Sequence, residues 1–312
     1  MNDLIHVCCC TDHNYLPFAG TMILSVCENS NKTDKIVFHV VIGNDISEKD
    51  KKDLENVITQ YDGFSIKFYL FQEKKEVIDK LPVKVPGTPQ HITIASYYRL
   101  FLSKILPESV TKVLYLDCDL IVRKSLKDLF DTDISSYSVA GCIDMLDYFK
   151  NTFSRLNFCY DQRYINAGVL LINLDYWRYN HLIDKFLEVV VENKEDLVFH
   201  DQDVINKVCC NTKFFFPCKW NVQDTYMYKT LNVRTDMADE VLEAVKEPSI
   251  IHYTNKFKPW VRWCQHPYKN EFFFYWEKTI WRDKPLLPSP DGYLKHIVRL
   301  ILQKLGVINK YK

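Results

Sequence analysis

Short apolar runs rich in Val, Ile, Tyr and Phe recur along this chain at 4–10, 35–42, 64–70, 112–116, 138–142, 169–173 and 249–253. Helical periodicity separates several of them, at 20–28, 48–60, 96–105, 182–192 and 202–208. This alternation constrains the fold more than any other feature. Near-continuous apolar runs read as strands buried on both faces. Strands alternating with helices favour a mainly parallel, twisted sheet flanked by helices. The predicted class is α/β. Ligands of open α/β sheets bind outside the carboxyl ends of strands, so the residues that follow each run are where chemistry is expected.

Composition narrows the function classes. At 312 residues the chain holds one large α/β domain or two smaller ones, and 47% hydrophobic content supplies a core. Forty basic residues balance forty acidic ones, so no global field draws it to nucleic acid. The 11 cysteines form no Cys-x-x-Cys pair, and Cys8-Cys9-Cys10, Cys118 and Cys142 lie in apolar segments. They read as small hydrophobes in a reducing cytosol, not as a zinc site or disulfide framework. Met-Asn-Asp-Leu-Ile-His carries no basic start before an apolar stretch, and no run of about 18 apolar residues occurs. Neither a signal peptide nor a spanning helix is expected.

Two run ends carry polar clusters: Thr11-Asp12-His13-Asn14 and Asp117-Cys118-Asp119. The second interrupts an apolar stretch, since Leu120-Ile121-Val122 follows it. Carboxylates there are costly unless a cation or hydrogen bonds satisfy them. Hard divalent cations such as Mg²⁺ or Mn²⁺ favour such oxygen ligands, often shared with phosphates. A bare Asp-x-Asp is more often a strand-end acid beside a turn-forming one. The rest of the chain decides between the two.

Four further segments join the pair. They are His91-Ile92-Thr93-Ile94-Ala95-Ser96-Tyr97-Tyr98-Arg99-Leu100, Tyr164-Ile165-Asn166-Ala167-Gly168 as a small-residue turn feeding a strand, Asp201-Gln202-Asp203 opening a helix, and His252-Tyr253-Thr254-Asn255-Lys256-Phe257-Lys258-Pro259-Trp260 after a late strand. In this order, over roughly residues 5–260, the chain resembles glycosyltransferase family 8, which includes bacterial lipopolysaccharide galactosyl- and glucosyltransferases and glycogenin. The resemblance implies a nucleotide-sugar-binding α/β domain of the GT-A type and transfer of glucose or galactose from a UDP-sugar, with retention of configuration.

It also implies roles. Asp117, Asp119 and His252 would bind Mn²⁺ or Mg²⁺, with Cys118 inside the same donor-binding triplet. The metal would neutralise charge on the departing diphosphate, and Lys258 would assist as a fixed cation. Asp12, Asn14 and Tyr15 match the nucleotide pocket, and Arg99 an arginine that holds the donor; an ordinary helix salt bridge is the alternative for Arg99. Asp144, Asn166, Asp201 and Gln202 match positions around the donor sugar, where carboxylates and amides read hydroxyls. His91 matches a position near the acceptor. Asn255 stands where the family usually has glycine, and asparagine tolerates positive φ better than most residues. Asp203 reads as a helix-start acid. Gln202, an amide, is a poor nucleophile, so front-side attack is expected; covalent catalysis by Asp201 is the minority reading.

The chain divides at about residue 265 into this domain and an aromatic, basic extension, 266–312. Trp260, Trp263, Phe272–Phe274 and Trp276 could line a sugar groove, although such a cluster is more often core. In 293–312, Leu294, Ile297, Val298, Ile301, Leu302 and Leu305 share one helical face, and Lys295, His296, Arg299 and Gln303 the other. That pattern fits either a helix packed on its own domain or one lying on an anionic membrane. The expected setting is the cytoplasm, peripheral to the inner membrane face, with a glycan or glycolipid acceptor in bacterial cell-surface polysaccharide synthesis. Two rivals are a glycogenin-like self-glucosylating protein and a non-catalytic UDP-sugar-binding protein.

Overall fold

The computed structural model describes residues 4–82, 93–304 and 311. Ten strands form two sheets: β1 (Leu4–Thr11), β2 (Lys35–Ile42), β3 (Phe64–Leu70), β4 (Lys112–Leu116), β5 (Leu120–Val122), β6 (Val139–Ile143), β7 (Ile165–Asn173), β8 (Lys213–Phe215), β9 (Val222–Gln223) and β10 (Ile250–His252). The main sheet has the order β3-β2-β1-β4-β7-β6-β8, and the smaller one β5-β10-β9. Pairings among β3, β2, β1 and β4 are parallel, and so is β6 with β8; β7 alone runs against both its neighbours. The mainly parallel α/β sheet expected from the alternation is the observed one.

Packing follows the residue pattern. β1, β2, β4 and β6 are buried along nearly their whole length, as strands covered on both faces must be. Helix Leu16–Asn29 is also buried almost all round. It lies between the sheet and helix Lys269–Trp276, where Phe18 stacks on Trp260 with ring centroids 3.8 Å apart. Trp260, Phe272 and Trp276 belong to this core. Each such aromatic contributes roughly 1.5–3 kcal/mol by burial.

Two expectations shift and one holds. The 96–105 pattern forms a 3₁₀ segment, Ile94–Phe101, followed by a single α turn, Leu102–Ile105. Tyr164–Gly168 is no turn: β7 begins at Ile165, and Asp117 N–H donates to Gly168 O at 2.8 Å, extending the ladder past β4. The acids stand where the 112–116 strand ends, as expected. β4 ends before Asp117 and β5 begins after Asp119 in the other sheet, so the acid pair occupies the crossing between sheets.

Candidate active site

The chain leaves β1 for β2 and β3 on one side and returns to β4 on the other. That reversal opens a crevice beyond the carboxyl ends of β1 and β4. Thr11 and Leu116 are the last residues of those strands, so Asp12 and Asp117 stand at its mouth. A cavity of about 520 Å³ lies there, lined among others by Asp12, Tyr15, Arg99, Asp117, Cys118, Asp119, Asp144, Asn166, Asp201, Gln202, His252, Asn255 and Lys258. Asn14 is exposed and does not line it. His91 lies outside the described residues.

Strand pairing brings the distant histidine to the acids. β10 runs antiparallel to β5 with His252 opposite Leu120, and Tyr253 N–H donates to Asp119 O at 3.0 Å. Asp117, Asp119 and His252 then offer ligand atoms all within 4.8 Å of one another. The two acids divide their oxygens alike. Asp117 Oδ1 takes Arg99 Nη2 at 2.8 Å and the Tyr115 hydroxyl at 3.0 Å, while Oδ2 faces His252 Nε2 at 3.8 Å. Asp119 Oδ2 takes Lys258 Nζ at 2.6 Å, while Oδ1 faces Nε2 at 3.2 Å.

These residues fit a divalent cation. Asp119 Oδ1 is buried without a hydrogen-bond partner. His252 Nδ1 lies 2.9 Å from Asn221 Oδ1, an acceptor, so Nδ1 carries the proton and Nε2 turns a lone pair toward both acids. Two carboxylate oxygens and an imidazole nitrogen converging on one point suit Mn²⁺ or Mg²⁺. Gly168 makes the convergence possible: a Cβ there would fall 2.1 Å from His252 Cε1 and 2.8 Å from Asp117 Oδ2. Cys118 is buried and directs its thiol to Cys10 O at 3.4 Å, away from the ligand set.

Electrostatics agree with the geometry. Burial pushes the Asp119 carboxyl up, but the Lys258 ammonium opposes it, and the carboxyl is held well below the usual carboxylate range. Arg99 is not an ordinary helix pair: it joins Asp117 to Asp201, whose Oδ2 lies 2.9 Å from Nε, and sits 4.3 Å from the Tyr115 ring centroid. Burial pushes the Asp201 carboxyl up to about 7, with Arg99 opposing and Asp117 reinforcing the rise. On the far wall, Asn166 Nδ2 donates to Asp144 Oδ2 at 2.8 Å, and Gln202 Oε1 accepts from Ala167 N–H at 2.9 Å.

One residue differs from expectation and another is more enclosed than its motif suggested. Asn255 is not among the residues with positive φ. Its backbone N–H donates to Asp224 Oδ2 at 3.0 Å and its side chain to the Tyr228 hydroxyl at 2.8 Å, so it braces the loop leading to Lys258. Asp203 is the helix-start acid expected: it stands in the first turn of helix His200–Val208, and its Oδ2 accepts Phe199 N–H at 2.7 Å. It is fully buried, receives two bonds from Arg155 at 2.8 and 3.0 Å, and a third from the Tyr164 hydroxyl at 2.6 Å. Sequence reasoning missed Tyr115, Asn221 and Asp224, single residues with no periodic or spacing signal.

The Asp-x-Asp pair thus lies at the switch point of the α/β sheet, with His252 and Lys258 brought to it from the far end of the chain. The chain belongs to glycosyl transferase family 8, whose sequence profile matches residues 6–264. It is 28% identical to general stress protein A of Bacillus subtilis over 90% of this chain and 96% of that protein. It is 27% identical to a lipopolysaccharide 1,2-glucosyltransferase of Escherichia coli, over 88% of this chain and 78% of the relative. Its fold is similar to the crystal structure of galactosyltransferase LgtC in complex with donor and acceptor sugar analogs. The TM-score is 0.78 at 26% identity, covering 89% of this chain and 99% of LgtC.

Proposed function

We propose that this glycosyltransferase moves a hexose, glucose or galactose, from UDP to a hydroxyl of a saccharide or glycolipid acceptor, with retention of configuration. The observation that carries this reading is the convergence of Asp117, Asp119 and His252 within 4.8 Å, beside Lys258 and inside one cavity with Asp12 and Tyr15. A bound Mn²⁺ or Mg²⁺ would supply Lewis-acid neutralisation of the diphosphate. Lys258 would hold charge on the departing UDP, and Arg99 would fix Asp117 and Asp201. Tyr15 would stack on the base and Asp12 bond its edge. Asp144, Asn166 and Gln202 would bond the hexose hydroxyls.

Front-side attack is the mechanism this set supports. The acceptor oxygen bonds the anomeric carbon as the carbon–oxygen bond to UDP breaks on the same face. The acceptor proton passes to the departing phosphate oxygen. Gln202 is a poor nucleophile, and a carboxyl raised to about 7 makes Asp201 a weak one near neutrality. Release of UDP from UDP-glucose, UDP-galactose and their N-acetyl forms, with and without Mn²⁺, tests the reading. Metal-independent binding without turnover would instead favour a non-catalytic protein, and a mass increase of the enzyme itself a self-glucosylating one.

We also propose that residues 1–265 carry the chemistry and that the 266–312 extension holds the enzyme against the inner membrane face. Helix Tyr293–Lys304 supports this by its orientation. Its polar side packs inward: the His296 ring stacks on Trp263 at 4.1 Å, Arg299 pairs with Asp291, and Gln303 bonds Gln265. Leu294, Val298 and Ile301 are left outward, 77%, 50% and 52% exposed. An apolar face turned to solvent beside exposed Lys295 and Lys304 suits an anionic lipid surface. Among the described residues no helix is long and apolar enough to cross a membrane. The acceptor would then belong to bacterial cell-surface polysaccharide synthesis.

A further inference from the structure

A buried chain of side-chain hydrogen bonds runs from the candidate metal ligand to the far wall of the cavity. His252 Nδ1 meets Asn221 Oδ1 at 2.9 Å. Asn221 Nδ2 donates to Asn166 Oδ1 at 2.9 Å. Asn166 Nδ2 donates in turn to Asp144 Oδ2 at 2.8 Å and to Gln202 Oε1 at 3.2 Å. His252, Asn221, Asn166 and Asp144 are all buried, and Asn221 is wholly inaccessible.

The chain has one direction only. Gly168 N–H, which can only donate, reaches Asn166 Oδ1 at 2.9 Å. The Asp144 carboxylate accepts on the other side. Together they fix the Asn166 amide with its oxygen toward Asn221. Asn221 must therefore present its NH₂ there and its oxygen to His252, and His252 must carry its proton on Nδ1. A flipped Asn221 would set oxygen against oxygen and N–H against N–H. Inside the protein, leaving such groups unpaired is strongly unfavourable. Asn221 is also held in place by its backbone, since β9 begins at the next residue and pairs Val222 with Ile251 and Gln223 with His252.

We infer that Asn221 is a positioning residue that couples hexose recognition at Asp144, Asn166 and Gln202 to the metal-binding tautomer of His252. The inference rests on the metal-dependent UDP-hexose reading above. A sugar hydroxyl that engages Asp144 or Asn166 acts on one end of the relay, and the bare Nε2 of His252 is the other. By reciprocity of linkage, a metal at that end favours the hexose that best satisfies the first. Asn221 touches neither ligand.

Two variants separate the arms of the relay. Asn221→Ala removes both bonds. Asn221→Asp is isosteric, keeps an acceptor for His252 Nδ1–H, and sets a carboxylate oxygen against Asn166 Oδ1. Mn²⁺ affinity is read by electron paramagnetic resonance titration without donor, and turnover with UDP-glucose and UDP-galactose at saturating Mn²⁺. Asn221→Ala is expected to weaken Mn²⁺ binding about 10–100-fold, the usual effect of losing a residue that orients a ligand. Asn221→Asp is expected to bind Mn²⁺ within about threefold of the unaltered protein while kcat with the preferred hexose falls at least about tenfold and the preference between hexoses shrinks. A merely structural role would lower thermal stability in both variants without this split, and that result overturns the proposal. Unchanged Mn²⁺ affinity in Asn221→Ala, or unchanged kcat and hexose preference in Asn221→Asp, overturns it too. If the unaltered protein binds no Mn²⁺, the metal reading has failed and the relay falls with it; if it binds and only the variants behave as wild type, the relay alone has failed.

Discussion

Lys258 Nζ lies 2.6 Å from Asp119 Oδ2, across 139 residues of sequence. The same ammonium bonds Tyr253 O, so the lysine is buried, anchored and directed into the acid pair. In this arrangement it compensates a carboxylate that would otherwise be an isolated buried charge. On the proposed reading, the lysine is a fixed cation for the leaving diphosphate. Lys258→Ala should therefore lower kcat for UDP release about 10²–10³-fold. Mn²⁺ binding should persist, because Lys258 occupies the oxygen that Asp119 turns away from His252. The metal-free variant should melt at lower temperature and regain part of the loss on adding Mn²⁺. A variant that retains wild-type turnover would remove Lys258 from the leaving-group role.

Gly168 carries a second prediction. The 2.1 Å separation between its absent Cβ and His252 Cε1 leaves no room for a methyl group. Both neighbours are tied down, His252 by Asn221 and Asp117 by Arg99 and Tyr115, so neither can yield cheaply. Gly168→Ala should cost about 1–3 kcal/mol in unfolding free energy and displace His252. Mn²⁺ affinity, measured by calorimetry on the folded variant, should fall by at least about tenfold. Ala167→Gly, one residue earlier, serves as the control, and equal metal affinity in both would contradict the packing argument.

The sheet was legible in the sequence because β1, β2, β4, β6 and β7 are buried on both faces and read as near-continuous apolar runs, with the half-exposed edge strand β3 alternating. β8 and β9, three and two residues long, lie below what a hydrophobic pattern can register. The candidate ligands were legible through the ordered motifs, since Asp117, Asp119 and His252 each stand at or beside a strand end, whereas Lys258 was legible only through the motif after His252. The groups that orient them were not. Asn221 follows Trp220 in an irregular segment, and Tyr115 looks like any buried strand aromatic until its hydroxyl is seen on Asp117. Asp203 was legible as a first-turn acid that suits the helix dipole. Only the fold reveals that Arg155 and Tyr164 enclose it.

His39 links stability to pH independently of the active site. It bonds His6 at 2.9 Å and the Tyr69 hydroxyl at 2.9 Å across β1, β2 and β3. Burial, with His6 and Lys67 adding to it, lowers its pKa to about 4, and His6 is lowered as well by burial and Lys67. A depressed histidine pKa means the unfolded chain takes the proton first. The contribution of His39 is therefore complete above pH ~6.5 and lost as pH falls toward ~4, a change on the order of 2–3 kcal/mol. Urea unfolding at pH 7.5 and 4.5 should show the wild type losing about 2 kcal/mol more than His39→Gln over that interval. Parallel losses in both proteins would locate the acid sensitivity elsewhere.

The last prediction concerns the helix Tyr293–Lys304, which packs by its polar side. His296, Arg299 and Gln303 recur at three- and four-residue spacing and make these contacts, so Leu294, Val298 and Ile301 on the opposite side face outward, with Ile297 and Leu302 half-buried at the flanks. A helix that needed only its own domain would bury the opposite face. Leu294→Glu with Ile301→Glu leaves every inward contact in place and removes two outward apolar side chains. Burial of each at a lipid surface contributes about 1.5–3 kcal/mol, so binding to vesicles rich in phosphatidylglycerol should fall at least about tenfold. Turnover with a water-soluble acceptor should be unchanged, because the two residues lie outside the cavity lining. Glycolipid turnover on vesicles should fall with the binding. Should the double variant bind anionic vesicles as tightly as the wild type, the outward face serves something other than a membrane.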